Sequence, residues 1–249
     1  MLRHTALFLA HELRITFRNP VWPLFGVFQP VLYLLLFAPL LANVMPGGST
    51  ADTLRDFTPG VMVMIALFGS LFVGFTMIGE IRGGVLERLA VSPASRPAIV
   101  LGRVARDVVT LVVQSLLMIV VAVLMGMRAD PAGVLVLLAL MAVVGVFASG
   151  ISYAMALAIR DENSMSQILQ FFAMPLILLT GILLPMEFAP RWLQVAAQAN
   201  PLYHAVEAGK SLFRGDFADG SILIAFVFTI LLAVLALSWS VSSMRRLAG

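Results

Sequence analysis

The chain has 249 residues, of which 61% are hydrophobic and 12% charged, whereas a soluble domain carries about 45–50% apolar and about 25% charged residues. A mean hydropathy of +1.01 over the whole length leaves no stretch polar enough for a soluble domain on a single anchor, so the membrane part is the protein. The formal charge of +3 and pI near 9.9 do not indicate nucleic acid, because the basic residues sit in short loops between apolar runs where they set topology, and the absence of cysteine excludes disulfides, thiolate metal sites and a cysteine nucleophile.

In chain order, residues 2–19 come first. At 100° per residue they place Leu2, Ala6, Leu9, Leu13 and Phe17 on one arc, with Arg3, His4, His11, Arg14 and Arg18 opposite. That pattern predicts an amphipathic helix lying in the membrane interface, ended by Asn19-Pro20. The charges also interrupt any secretory core, so this segment is expected to stay on the mature chain.

A bilayer core about 30 Å thick needs about 20 apolar residues of helix, and six runs meet that need. They are approximately residues 21–42, 57–79, 104–125, 132–159, 168–184 and 221–243, which predicts an all-α integral membrane fold in a single transmembrane domain. Pro23, Pro30 and Pro39 predict a kinked or broken first span. The fourth run is overlong and is expected to tilt or end early. Eleven basic residues fall on one side of this arrangement and five on the other. By the positive-inside rule the richer side, which holds both termini and the loop at 80–97, is cytoplasmic.

On the outer side, residues 185–220 are too polar for a plain span yet repeat apolar residues at helical spacing. Two short helices broken at Asn200-Pro201 are expected, with Trp192 and Tyr203 as interfacial anchors for a re-entrant path.

The residues offer little for catalysis. There is no Gly-x-x-x-x-Gly-Lys-Ser/Thr phosphate loop and no His-Glu-x-x-His, so neither ATP hydrolysis by the P-loop route nor a zincin site is predicted. The three histidines, His4, His11 and His204, fall on opposite sides of the membrane, and no metal is expected. Span centres hold no carboxylate; Asp107 stands at the cytoplasmic mouth of the third span beside Arg103 and Arg106. A proton-coupled carrier would need a mid-membrane acid. Gln29, Gln114 and Gln170 are the candidate path-lining polar residues, with interhelical packing as their other reading.

The loop after the second span runs Glu80-Ile81-Arg82-Gly83-Gly84-Val85-Leu86-Glu87-Arg88-Leu89-Ala90-Val91-Ser92-Pro93-Ala94-Ser95-Arg96. It reads either as a solvated loop obeying the topology rule or as a short amphipathic helix offering Leu86, Leu89 and Val91 with Glu87 and Arg88 as a docking knob.

This segment resembles the Glu-x-Arg-x-Gly-x-Leu-Glu-Arg-Leu-x-Val-Ser/Thr-Pro-x-Ser-Arg stretch of type-2 ABC transporter permeases, particularly bacterial drug-resistance permeases of the daunorubicin-export kind. The start ending in Arg18-Asn19-Pro20 is similar to that family's interface helix, and Leu184-Pro185 through Asn200-Pro201-Leu202 to its re-entrant helices. The resemblance implies a six-span subunit of the bacterial cytoplasmic membrane, paired with a second copy or a paralogue. Separate nucleotide-binding subunits would carry ATP and Mg, so this chain itself would be no enzyme. It further implies that Gly84, Val85, Leu86, Glu87, Arg88, Leu89 and Val91 form the coupling helix, and that Glu80 and Arg82 belong to a gate-related charged cluster. The expected cargo is hydrophobic or amphiphilic, drug-like or lipid, with a polysaccharide or lipid-linked glycan as the alternative.

Overall fold

A computed structural model describes residues 9, 12–14, 21–44, 49–84, 96–182 and 186–246. Every regular element among them is helical. The order is α1 (Val21–Val44), α2 (Thr50–Leu71), α3 (Gly74–Arg82), α4 (Arg96–Leu124), α5 (Pro131–Ile159), α6 (Glu162–Leu178), a 3-10 turn (Met186–Phe188), α7 (Arg191–Gln198), α8 (Pro201–Arg214) and α9 (Gly220–Arg246). Residues 9 and 12–14 are helical as well; the rest of the predicted interface helix lies outside the described residues.

Among the described residues, four helices are long and apolar enough to cross a membrane: Thr50–Arg82 (α2 with α3), Pro97–Leu124, Pro131–Ile159 and Gly220–Met244. Gly26–Leu40 within α1 is a shorter apolar helix. Lipid-ready faces are plain on α9, where Leu223, Val227, Leu231, Val234 and Leu235 are all exposed; a row of that kind would be a liability in water.

The helix bounds sharpen the expectation at three places. The first span is not broken: α1 runs through Pro30 and Pro39 as one helix, and the amide of Gln114 from α4 fills the space beside Gly26, 3.0 Å from where a Cβ would stand. The fourth runs its full 29 residues. It stops only where Arg160 turns left-handed at φ 55°, a conformation that ends a helix by turning the chain away. The fifth is displaced toward the amino terminus. Asp161 caps α6 through the Ser164 amide, so the helix starts six residues before the apolar run, and Gly181 at φ 74° follows its end. The outer segment does form two helices, α7 and α8, with Asn200 capping the second through the Leu202 amide.

α5 is the hub, with α9, α4, α2, α8 and α3 packed around it. Lipid tails are as apolar as leucine, so helices in a bilayer associate through close packing at small residues. Gly133 of α5 lies so near α8 that a Cβ would stand 1.8 Å from the Leu212 carbonyl oxygen, and Gly150 meets Ala236 of α9 in the same way at 3.2 Å. α6 is the exception, touching α5 and α2 only sparsely. The buried core falls into two clusters. One runs from Leu34 and Leu54 to Phe213; the other gathers Met77, Ile99, Val104, Tyr153, Met165 and Met244 around the opposite end.

Candidate functional site

At that opposite end, helix geometry brings charge into the core. Arg103, Arg106 and Asp107 occupy positions i, i+3 and i+4 of α4 and therefore share a face. Met77 and Glu80 do the same on α3, and Tyr153 projects from α5.

Two guanidinium groups organise the cluster. Arg106 Nε and Nη2 donate to Asp107 Oδ1 at 2.9 and 2.7 Å. Its Nη1 donates to Glu12 Oε2 at 2.6 Å, and Nη2 also reaches Tyr153 Oη at 3.1 Å. The Tyr153 hydroxyl donates in turn to Asp107 Oδ2 at 2.6 Å. Arg103 pairs with Glu80 through Nη2, contacts Met77 Sδ at 3.1 Å and holds Nε 3.8 Å from Glu12 Oε1. Arg103 is 5% exposed and Asp107 7%. Charges so deeply placed are tolerated only when partnered, and here each carboxylate faces a guanidinium. The three acids Glu12, Glu80 and Asp107 thereby tie the amino-terminal helix, α3 and α4 to one another and, through Tyr153, to α5.

Arg82 makes a second, more exposed link. Its Nη2 lies 3.2 Å from Asp161 Oδ2 and its Nη1 3.6 Å from Glu162 Oε1, joining the end of α3 to the α5–α6 turn. The Ser164 amide and hydroxyl, with Arg82 behind them, hold the Asp161 carboxyl below the usual carboxylate range. Gly84 follows at φ 67° with open space around it; Val85, Leu86, Glu87, Arg88, Leu89 and Val91 lie outside the described residues. Every acid of the cluster is already committed to an arginine, and neither a nucleophile–base pair nor, among the described residues, a metal-sized group of His, Asp and Glu stands there. The arrangement suits mechanical linkage between helices.

The sequence pointed to Glu80 and Arg82, and both fall in this linked region. Glu12 and Tyr153 were missed. Glu12 stands among the polar residues of an amphipathic helix, and Tyr153 sits in an otherwise apolar run with no charge near it in sequence, so neither advertised a partner.

Residues 4–214 match the family model described as ABC-2 type transporter. The chain belongs to that family. The permease is 29% identical over 192 residues to the daunorubicin resistance ABC transporter permease protein DrrB1 of Streptomyces coeruleorubidus, covering 76% of this chain and 67% of that protein. It is 25% identical over 218 residues to the putative transport permease ycf38 of Porphyra purpurea, covering 84% and 74%. To the probable doxorubicin resistance ABC transporter permease protein DrrC of Mycobacterium tuberculosis (strain CDC 1551 / Oshkosh) it is 22% identical over 192 residues, covering 76% and 69%. With its apolar spanning helices, the protein is a multi-pass membrane subunit of an ABC transporter. The matched region contains the whole charged cluster and leaves out α9.

The three glutamines singled out as path-lining candidates, Gln29, Gln114 and Gln170, are not brought together. Gln114 is buried between α1 and α2, beside Gly26 and Gly69, and serves as interhelical packing. Gln29 on α1 is exposed, and so is Gln170 on α6, whose Nε2 donates to Ser166 Oγ at 2.9 Å. Between α2, α5 and α6 lies a cavity of about 240 Å³. It exists because α6 stands off the bundle, and all of its lining residues are apolar, among them Leu67, Phe147, Ala148, Ile151, Phe172 and Ala173.

Proposed function

We propose that this permease is the path-forming half of an exporter driven by separate ATPase subunits, which bind ATP and Mg, and that it works in the bacterial inner membrane beside a second copy of itself or a paralogue. In this reading α1, α2 with α3, α4, α5, α6 and α9 make six crossings, both termini are cytoplasmic, and α7 and α8 form the outer re-entrant segment. Gly84, Val85, Leu86, Glu87, Arg88, Leu89 and Val91 form the coupling helix that seats in the ATPase.

The observation that carries it is the buried charge cluster at the end of α3, the helix that leads into that loop. Glu80, about one helical turn before Gly84, is bound to Arg103, and Arg106 gathers Glu12 and Asp107. A pull on the loop therefore reaches the interface helix and three spans together, and a partner that binds the pulled state more tightly shifts the permease toward it. Glu80 and Arg82 act as a gate-related pair that opens or re-forms in that shift.

The apolar cavity beside α6 supports a hydrophobic or amphiphilic cargo, drug-like or lipid, entering from the bilayer; a hydrated glycan would leave its hydroxyls unpaired against such walls. Gln29 and Gln170, exposed amides on spanning helices, suit a polar path or a seam between copies, because an amide facing lipid is costly.

The test is the double variant Glu87→Ala with Arg88→Ala. Normal membrane insertion with loss of both export and ATPase association is expected. Full transport with wild-type recovery of the partner would reject the coupling role, and labelling of Ser92→Cys or Ser95→Cys from the exterior would invert the topology.

A further inference from the structure

The second span is interrupted in mid-course. α2 ends at Leu71, α3 starts at Gly74, and Phe72 and Val73 form a turn between them. A continuous helix would send the Gly74 N–H to the Ser70 carbonyl and the Phe75 N–H to the Leu71 carbonyl. Instead, Gly74 N–H donates to Ser152 Oγ of α5 at 2.9 Å, and the Ser152 hydroxyl donates to the Leu71 carbonyl at 2.5 Å. The Phe75 and Thr76 amides tighten onto the Phe72 and Val73 carbonyls, each at 3.2 Å. One buried hydroxyl thus supplies both the donor and the acceptor that the break would otherwise leave empty, at a depth where lipid offers neither.

We infer that Ser152 is a positioning residue for transport: its hydroxyl holds α3 bent away from α2, and its release lets the span straighten and carries Glu80, Arg82 and the loop beyond them through the swing. Released, the hydroxyl can turn to a carbonyl of its own helix, as Ser149 does toward Gly145 at 2.6 Å, while the backbone groups of the break close regular helical bonds. In both arrangements the Gly74 amide, the Leu71 carbonyl and the Ser152 hydroxyl have partners, which is what makes the element bistable. The glycine at 74 is part of the device. A Cβ there would stand 2.5 Å from the Ser152 carbonyl oxygen and 2.6 Å from Met165 Cε, so no other residue lets α3 come close enough to reach the hydroxyl. The role in transport rests on the ATP-driven reading above; the latch itself does not.

The permease contains no cysteine, so spin labels can be placed at Gly79→Cys and Ser242→Cys, both exposed. Pulsed distance measurements use full-length permease in lipid nanodiscs, diluted with unlabelled chain. Gly79, five residues and about 7.5 Å along α3 from Gly74, moves by about 3–4 Å when the bend changes by about 20–30°. Ser152→Ala is expected to displace most of the population by that amount, since it strands two backbone groups in the bent form. Ser149→Ala, which also removes a buried hydroxyl from α5, should keep the parent distances. Ser152→Thr and Ser152→Val repeat the comparison at equal volume, with Thr matching the parent and Val matching Ser152→Ala. Parent distances in Ser152→Ala and Ser152→Val, or an equal displacement in Ser149→Ala, would overturn the latch. With the ATPase bound, ATP should displace the parent to the Ser152→Ala position, and the ATPase assembled with Ser152→Ala should hydrolyse ATP without matching transport. A latch that responds to Ser152 but not to nucleotide would instead overturn the drive assigned to it.

Discussion

Arg106→Met is the most informative single change in the cluster. The substitution keeps most of the apolar stem and removes the guanidinium that binds Asp107 at 2.7 Å and Glu12 at 2.6 Å. Asp107, 7% exposed, loses both of its Arg106 bonds and keeps the Tyr153 hydroxyl, and Glu12 loses its 2.6 Å guanidinium partner. Breaking a buried pair by removing one partner costs about 3–5 kcal/mol. Because the Arg106 side chain is 19% exposed, the lower end applies, about 3 kcal/mol. At about 2–4 °C per kcal/mol for a chain of this size, the melting midpoint should fall by about 6–12 °C. Adding Asp107→Asn removes the stranded charge while its amide oxygen still accepts from Tyr153, and should restore at least about 1 kcal/mol, a coupling expected of direct neighbours. The assay is fluorescence-detected size exclusion of full-length permease after graded heating in detergent. A single variant within about 2 °C of the parent, or a double variant less stable than the single, would show that the cluster is not the ion-paired unit described.

Gly133→Ala drives a Cβ to within 1.8 Å of the Leu212 carbonyl oxygen, so α5 and α8 must part, and a loss of at least about 1–3 kcal/mol is expected; unchanged melting would mean the two helices are not in backbone contact. Asp161→Ala tests the turn that receives Arg82. The native carboxyl is held below its usual range by Ser164 and Arg82, so its stabilisation is present above the ordinary carboxylate pKa of about 4 and is lost as pH falls through the depressed native value. The melting difference between parent and variant should be full at neutral pH and fade under strong acid; a difference independent of pH would assign it to backbone effects alone. Ala148→Phe fills part of the cavity beside α6 and should raise the concentration of a hydrophobic cargo needed for half-maximal stimulation of the assembled transporter's ATPase. An unchanged value would move the cargo to another site.

Much was legible from the residues alone. Solvent class follows from composition, because a chain with so few charges cannot satisfy a water-facing surface, and long apolar runs locate spans because length in residues maps directly onto bilayer thickness. The loop from Glu80 to Arg96 resembled its family through local side-chain order, which needs no tertiary information. The break of the outer segment at Asn200-Pro201 was also local, since Asn caps the helix that Pro begins.

Other features depended on what lies far away in sequence. The fifth apolar run and the helix that holds it differ in bounds, because apolar content marks depth in lipid, whereas Asp161 sets the helix start through backbone chemistry. Path lining and packing were both open for Gln114, and its burial beside glycines on two other helices favours packing. The sequence by itself determined the solvent, the long apolar runs and the family, all of which rest on composition and short-range order. Only the tertiary structure decided that Glu12, Glu80, Arg103, Arg106, Asp107 and Tyr153 meet, and that Ser152 bridges a break some 80 residues away in the chain. Pairing of that kind is set by which helix faces touch, and period and hydropathy tell a helix which way is apolar without telling it which neighbour it will find.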